Sequence, residues 1–202
     1  MDYQPVLDGI SRLNFAEPIY SRKKYIVIHH SLTEDDQTIN WKAIKRFHTS
    51  WRIGGDIVTE VEAQKAKAKG IIVEAPWVDI GYNFGIENIK NITTLEVGRS
   101  LSIPGAHTEG FNTNGIGVCA IGNFQKTKPP KDIFYLTALT CMYLRKVWYD
   151  KLGINLQVIG HRESFVLLNK PIKKDCPGSA WDMQLFRYLV WGRKDINELY
   201  PT

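Results

Sequence analysis

The chain has 202 residues, of which 44% are hydrophobic and 11% aromatic; these values exclude wholesale disorder and fit one domain with a sizeable core. The formal net charge of +5 would favour an anionic surface such as cell wall or nucleic acid. Because no dense basic run or recognised motif accompanies the charge, we expect no nucleic-acid partner. Three cysteines, an odd and sparse set, do not form a disulfide framework and indicate synthesis in a reducing compartment.

We expect no secretory signal, because no basic segment followed by an apolar one is visible at the beginning of this sequence. No apolar run is long enough to span a bilayer, so we expect no stable membrane insertion. We therefore expect a protein that is synthesised in the cytoplasm. We also expect it to be a monomer. Residues 1–23 mix Pro, Gly and single apolar residues without a period, which predicts an N-terminal arm packed on the domain.

A short buried strand is predicted over residues 24–30, bounded by Ser31 and an acidic loop. Apolar residues then recur at helical spacing from about Thr38 to Trp51, which predicts a helix that the glycine pair at 54–55 ends. Residues 58–69 fit a solvated helix stopped at Gly70, followed by a short strand over 71–73.

Two further strands, joined by an Asn-rich turn, are predicted over residues 80–86 and 93–97. A glycine-flanked apolar strand over 115–122 is predicted to be central and buried on both faces. The strongest helix covers 132–150, and a strand covers 156–160. A last helix begins after Pro177-Gly178, and a short segment over 195–200 follows it. This order predicts an α/β fold, a single domain with a central mixed β-sheet flanked by helices.

Three separated segments of the sequence carry histidine or cysteine residues, which are common metal ligands in proteins. A histidine pair, His29 and His30, ends the first strand; His161 follows the strand at 156–160, and Cys176 precedes Pro177. Two imidazoles and one thiolate are ligands that zinc favours, and three protein ligands leave the fourth position open for water, as in catalytic sites. Adjacent strand residues point to opposite faces, so we expect only one member of the pair to bind the ion directly.

A series of motifs in one order resembles the type-2 N-acetylmuramoyl-L-alanine amidases, which include short phage endolysin amidases and catalytic peptidoglycan recognition proteins. The motifs are residues 26–31 (IVIHHS), 81–84 (GYNF), 97–99 (VGR), 105–112 (GAHTEGFN), 115–124 (GIGVCAIGNF), 160–162 (GHR) and 174–178 (KDCPG). The resemblance covers roughly residues 24–190. It implies a zinc-dependent enzyme, with a central sheet flanked by helices, that cuts the amide between N-acetylmuramic acid and L-alanine.

The resemblance assigns the site residue by residue. His29, His161 and Cys176 match the zinc ligands, Tyr82 matches the active-site tyrosine, and Lys174 matches a cationic position of the phage-type members. A phenol donor and an ammonium could both stabilise the oxyanion formed by attack on the amide. The alternatives are a core histidine for His29, a buried apolar thiol for Cys176, a packed strand aromatic for Tyr82 and a solvated surface charge for Lys174.

Substrate contacts follow from the same resemblance. The residues expected to line a groove for the stem peptide and the sugar are His107, Thr108, Asn112, Asn123 and Phe124. Arg99 could meet a peptide carboxylate, and a structural ion pair is an equal alternative.

The sequence departs from the family pattern in three places. Cys119 stands where some relatives carry a Glu, so the general base is unassigned, and we expect Cys119 and Cys141 to be core thiols. Within an amidase domain over residues 24–202, insertions are predicted near 53–77 and 164–171. The insertion near 53–77 could form one wall of the groove, or it could be a solvated helix with no role in the site.

The leading hypothesis is a zinc-dependent bacteriolytic amidase acting on the peptidoglycan of the cell wall after release or export. A phage or prophage endolysin fits best, and a wall-recycling enzyme or an exported toxin would look similar. One rival is a non-catalytic peptidoglycan-binding protein on the same fold. Another is a structural zinc site, for which His30, His48 and His107 are the spare imidazoles.

Overall fold

A five-stranded mixed sheet organises the molecule. The computed structural model describes residues 4–33, 40–193 and 195–199. The strands are β1 (Tyr25–His30), β2 (Trp51–Ile53), β3 (Asp56–Val58), β4 (Phe84–Ile89), β5 (Ile92–Val97), β6 (Gly115–Ala120) and β7 (Gln157–Gly160). The main sheet has the order β5-β4-β6-β1-β7, in which only the β4–β5 pair is antiparallel. The predicted α/β fold with a central mixed sheet is confirmed.

Helices cover both faces of this sheet. They are α1 (Gln4–Ser11), α2 (Pro18–Arg22), α3 (Trp41–His48), α4 (Glu60–Ala68), α5 (Lys131–Leu152), α6 (His161–Leu167), α7 (Met183–Val190) and α8 (Ile196–Leu199). Alternate residues of β1 and β6, such as Ile28 and Val118, face a large core that includes α5 and α7. The residues between them, such as Cys119, face a smaller cluster that includes Trp41 of α3. None of the described helices is long and apolar enough to cross a membrane.

The described part of residues 1–23 belongs to the core. Leu7, Ile10 and Tyr20 of α1 and α2 are buried in the large cluster. The indole Nε1 of Trp148 donates a hydrogen bond to the Tyr20 carbonyl at 3.1 Å. Full burial of one such apolar side chain contributes about 1.5–3 kcal/mol, so this segment stabilises the sheet that it covers.

The segment between α3 and β4 differs most from the predictions. Helix α3 ends at His48, and the Gly54-Gly55 pair, with φ of 60° and 97°, makes the turn of the β2–β3 hairpin. The strand predicted over 71–73 is wrong, since only Glu74 forms an isolated bridge, to Arg52. The solvated helix predicted over 58–69 is present as α4, beginning at a Thr59–Glu62 capping box.

Elsewhere the observed bounds of helices and strands differ less from the predicted ones. Strand β4 begins at residue 84 instead of 80, and α7 begins after Asp182, whose side chain accepts hydrogen bonds from two backbone N–H groups. Helix α6 was not predicted, and it occupies the first half of the proposed 164–171 insertion. The acidic loop at 34–36, the start of the helix expected from Thr38 and the last residue of the 195–200 segment lie outside the described residues.

Candidate metal centre and its cavity

The carboxyl ends of two parallel strands bring the predicted ligands together. Strands β1 and β7 pair in the register Ile28↔Gly160, so His29 and His161 follow adjacent positions. Cys176 comes from the loop after α6. One ligand atom from each of these three buried residues lies within 4.8 Å of the others. His29 Nδ1 lies 3.7 Å from Cys176 Sγ.

These separations and donor types fit a zinc ion. Tetrahedral zinc with bonds of roughly 2.0–2.3 Å holds its donors about 3.3–3.8 Å apart, so a modest closure of this group would coordinate the ion. Two imidazoles and a thiol are zinc ligands, and three of them leave one position open. Within the described residues the group has three members, not the four of a closed structural site.

The spare imidazoles are engaged elsewhere. His30 Nδ1 accepts a hydrogen bond from the Phe124 N–H at 3.2 Å. His48 Nδ1 accepts one from the Gly81 N–H at 3.1 Å. His107 contacts His29 on the ring edge away from Cys176. Within the described residues, none of these three rings joins the group of ligand atoms that His29, His161 and Cys176 form.

Burial keeps the imidazoles neutral. It lowers the pKa of His29 well below its ordinary value, with the neighbouring histidines as secondary causes. Burial also lowers the pKa of His161 to about 4, with the charge of Lys174 contributing. The neutral imidazole is the form that binds a metal ion, so both rings need lose no proton at neutral pH.

The Cys176 thiol is held in place by its loop. Burial raises its pKa to about 12, partly offset by the backbone N–H of His30, which donates to Sγ at 3.4 Å. Arg162 donates from its backbone N–H to the Cys176 carbonyl at 2.8 Å, and its guanidinium pairs with Asp175 at 2.8 Å. A metal ion would have to displace the thiol proton, as thiolate ligation requires.

A glycine closes the loop against the core. Gly178 has a φ of 107°, and a Cβ there would lie 2.2 Å from the Phe124 carbonyl oxygen. Any larger residue would push the loop, and with it the thiol, away from the two imidazoles.

Tyr82 stands beside the group. Its ring centroid lies 5.1 Å from that of His29. Burial raises the pKa of the phenol well above its ordinary value, with Cys119 and Cys176 as further causes. Tyr82 is therefore a hydrogen-bond donor at neutral pH and not a base. Cys119 lies opposite His29 in the β1–β6 register and is fully buried. Since β6 (GIGVCA) contains no acidic residue, this strand supplies no carboxylate to the group.

A cavity of about 490 Å³ opens over the three candidate ligands. His48, Trp77 and Tyr82 have neighbouring rings and form an aromatic part of its lining. The lining also includes the exposed Lys173 and Lys174. Aromatic rings, exposed lysines and three candidate metal ligands thus line one cavity, and such a lining suits a ligand that has both polar groups and an apolar face.

The predicted insertion near 53–77 supplies part of that lining. Trp77 is 37% exposed, and its ring lies 4.6 Å from that of His48. The buried Arg52 packs its guanidinium over Trp77 and forms an ion pair with Glu74 at 2.8 Å. The sequence does not predict a cavity-lining role for Trp77 or His48. The signal for Trp77 was the alternative that the insertion near 53–77 forms a wall of the groove, and His48 was named only as a spare imidazole of a structural zinc site.

The predicted substrate residues occupy other places. Thr108 is 3% exposed, and its hydroxyl contacts His29 and His107. Asn112 Oδ1 accepts the backbone N–H groups of His107 and Thr108 at 2.8 and 2.9 Å. Of the five residues in this set, His107 reaches the cavity.

The remaining two of the set, and Arg99, serve local structure. Phe124 is buried in the large core with its ring 5.4 Å from that of Trp181, so its groove-lining role is corrected to a core role. Asn123 Oδ1 accepts the Gln125 N–H at 3.2 Å.

Arg99 is buried and donates to three backbone carbonyls. They are those of Asp79, Ile80 and Pro104, at 2.8, 2.8 and 3.2 Å. These bonds hold the loop before Tyr82 in place, so the role of Arg99 is structural, and the nearby Asp79 carboxylate partly offsets the lowering of its pKa by burial.

The sequence is similar to a known protein family and to several characterised proteins. The model of the family described as N-acetylmuramoyl-L-alanine amidase matches residues 19–179, well over half of the chain. The endolysin of Escherichia phage T7 is 30% identical over 97 residues, 48% of this chain and 46% of the relative. Peptidoglycan-recognition protein LB of Drosophila melanogaster is 32% identical over 91 residues, 45% of this chain and 37% of the relative. The matches thus span less than half the length of these relatives.

Solved structures share the fold. An endolysin N-acetylmuramoyl-L-alanine amidase, LysCS from Clostridium intestinale, matches with a TM-score of 0.50 and 19% identity, covering 83% of this chain and 84% of that one. Bumblebee PGRP-SA matches with a TM-score of 0.52 and 23% identity, covering 83% of each chain. At these identities the likeness concerns the architecture.

Proposed function

We propose, because this chain belongs to the N-acetylmuramoyl-L-alanine amidase family, that it hydrolyses the amide between N-acetylmuramic acid and L-alanine in peptidoglycan. A zinc ion would be held by His29, His161 and Cys176. The observation that carries the proposal is the convergence of these three buried ligand atoms, within 4.8 Å of one another, at the floor of an open cavity.

The protein groups around the ligands support hydrolysis. Zinc bound there would act as a Lewis acid on the amide carbonyl and lower the pKa of a water molecule. Tyr82, whose raised pKa keeps its proton, would donate a hydrogen bond to the oxygen that becomes negative during attack. Lys174, which also lines the cavity, would add a positive charge near Cys176.

The cavity chemistry supports a glycopeptide substrate. The exposed face of Trp77 offers an apolar surface for a sugar ring, and the cations of Lys173 and Lys174 complement carboxylates of a stem peptide. Hydrolysis of this amide would release stem peptides from the glycan strand. We propose accordingly that the protein is a monomeric, bacteriolytic enzyme of the endolysin kind that acts on the wall after release or export.

The test is product analysis on purified peptidoglycan. We expect zinc-loaded protein to release peptides beginning with L-alanine, detected by mass spectrometry, and chelator to abolish the release. Cys176→Ala should be inactive, whereas Cys141→Ala, which removes a buried thiol from α5, should retain activity.

The rival function gives a different result. A non-catalytic recognition protein would bind the same wall preparation in sedimentation assays and leave its amide bonds intact. Equal activity of Cys176→Ala and wild type would refute the assigned ligand set.

A further inference from the structure

The two ring nitrogens of His29 have different neighbours. Nδ1 faces Cys176 Sγ at 3.7 Å. Nε2, on the opposite edge, lies 3.2 Å from both His107 Nδ1 and Thr108 Oγ1. The last two atoms are themselves 3.0 Å apart. A closed triangle of polar atoms therefore lies behind the candidate metal ligand, in a buried environment.

Metal binding by His29 would determine which of these three polar atoms donates a hydrogen bond and which accepts one. If Nδ1 of His29 binds a metal, its proton must be on Nε2, which becomes a donor. His107 Nδ1 must then be an acceptor, because two N–H groups cannot face each other at 3.2 Å. The Thr108 hydroxyl stands between a donor and an acceptor. It can accept from His29 and donate to His107 at the same time.

The loop that carries Thr108 is built to hold it there. Asn112 Oδ1 accepts the backbone N–H groups of both His107 and Thr108. The His107 ring lies between two glycines. A Cβ on Gly105 would be 2.5 Å from the ring, and one on Gly117 would be 2.6 Å from it. These glycines leave a slot that positions the acceptor of the Thr108 proton.

We propose that Thr108 is a positioning residue that fixes His29 in its Nε2–H tautomer and aims Nδ1 at the metal, with His107 orienting the Thr108 hydroxyl. The inference rests on the proposed zinc-dependent function. It gives Thr108 and His107 a role behind the ligand in place of the substrate contacts predicted from sequence. Removing such a partner of a metal-binding histidine generally weakens metal affinity 10–100-fold.

The test compares zinc affinities measured by competition with a chromophoric chelator. We expect Thr108→Ser, which keeps the hydroxyl, to bind zinc within about twofold of wild type. We expect Thr108→Val, which keeps the shape, to bind about tenfold more weakly, near the lower end of the general range. The reason is that His107 Nδ1 remains 3.2 Å from His29 Nε2 as a partial substitute.

A matched control and a direct measurement separate positioning from folding. Thr137 is also fully buried and donates its hydroxyl within α5, so Thr137→Val should leave zinc affinity unchanged. In ¹⁵N NMR of histidine-labelled, zinc-loaded protein, His29 Nε2 should carry the proton in wild type. The Thr108→Val protein should show an altered Nε2–H resonance, and the Thr108→Ser protein should resemble wild type.

The outcomes distinguish the two proposals. Equal zinc affinities for wild type and Thr108→Val, or a proton on His29 Nδ1 in the loaded protein, would overturn this inference alone. Failure of wild type to bind zinc would overturn the proposed function, and this inference with it.

Discussion

Lys23 is a fully buried cation two residues before the start of β1, and it makes the stability of the fold depend on pH. Its Nζ donates to the Gly115 carbonyl at 3.2 Å, and no carboxylate within the described ranges forms an ion pair with it. Burial without a counter-charge disfavours the charged form, and it lowers the pKa of Lys23 from 10.5 to about 8.

The sign follows from linkage. Below pH 8 the lysine is charged in both states, and the folded state is penalised by the full shift. The difference of 10.5 − 8, or about 2.5 pKa units, corresponds to about 3 kcal/mol. Between pH 8 and 10.5 the folded protein loses this proton before the unfolded chain does, so the penalty is relieved and stability rises with pH.

The measurement is the free energy of unfolding of Lys23→Met and wild type in urea between pH 7 and 10.5. At pH 7 we expect Lys23→Met to be more stable by about 2 kcal/mol, since loss of one hydrogen bond offsets about 1 kcal/mol of the gain. Wild type should gain about 3 kcal/mol relative to Lys23→Met by pH 10.5. Lys24→Met, at an exposed neighbour, should track wild type. A difference between Lys23→Met and wild type that stays constant with pH would refute the argument.

Three other perturbations have defined outcomes. Gly85→Ala puts a Cβ 2.4 Å from the Trp41 ring, so the free energy of unfolding measured by urea titration should fall by about 1–3 kcal/mol. Gly9→Ala, with open space around its Cβ, should not lower the free energy of unfolding. Arg52→Met removes the cation over Trp77 and the donor to a backbone carbonyl, so stability should fall by about 1–3 kcal/mol and KM should rise more than kcat falls. A variant with unchanged stability and KM would contradict this role. Zinc at a thousand times its Kd should stabilise the fold by about 4 kcal/mol, or roughly 8–16 °C in calorimetry, and equal melting with chelator would exclude binding.

The parts of the fold that the sequence predicts well are those in which one pattern dominates. Strand β6 is a continuous apolar run, β1 is apolar up to its final histidine pair, and both are buried on both faces. Helix α5 has 22 residues with a persistent apolar stripe. Burial of this kind overrides local preferences, so both the type and the approximate bounds of these elements follow from the pattern.

The segment from His48 to Tyr82 resisted prediction because its contacts are not periodic. Trp51 continues the helical spacing of α3, yet it lies on a hairpin strand. The apolar run at 71–73 suggests a strand, but Ile72 is 87% exposed. The segment is held by particular contacts instead, such as the Arg52–Glu74 ion pair and the hydrogen bond from the Trp77 N–H to the His48 carbonyl. Such pairings have no periodic signal in a single sequence.

The candidate ligands were assigned by resemblance, and the geometry brings all three together. The residues around them were less predictable, because a motif gives proximity to the site but not the direction of a side chain. Thr108 and Phe124 both belong to matched motifs, yet one contacts the back of His29 and the other lies in the core. Which groups touch substrate depends on the faces that these residues present.

At the end of β1, the alternation of side chains along a strand determines which face of the sheet each histidine points to. Adjacent residues on a strand point to opposite faces, which predicts that His29 and His30 cannot both bind one ion. His29 faces His161 and Cys176, while His30 Nδ1 accepts the Phe124 N–H beside the large core. The backbone N–H of His30 nevertheless donates to Cys176 Sγ at 3.4 Å. A thiolate gains more than a thiol from such a donor, so one histidine would bind the ion and its neighbour would stabilise the charge of the sulfur ligand.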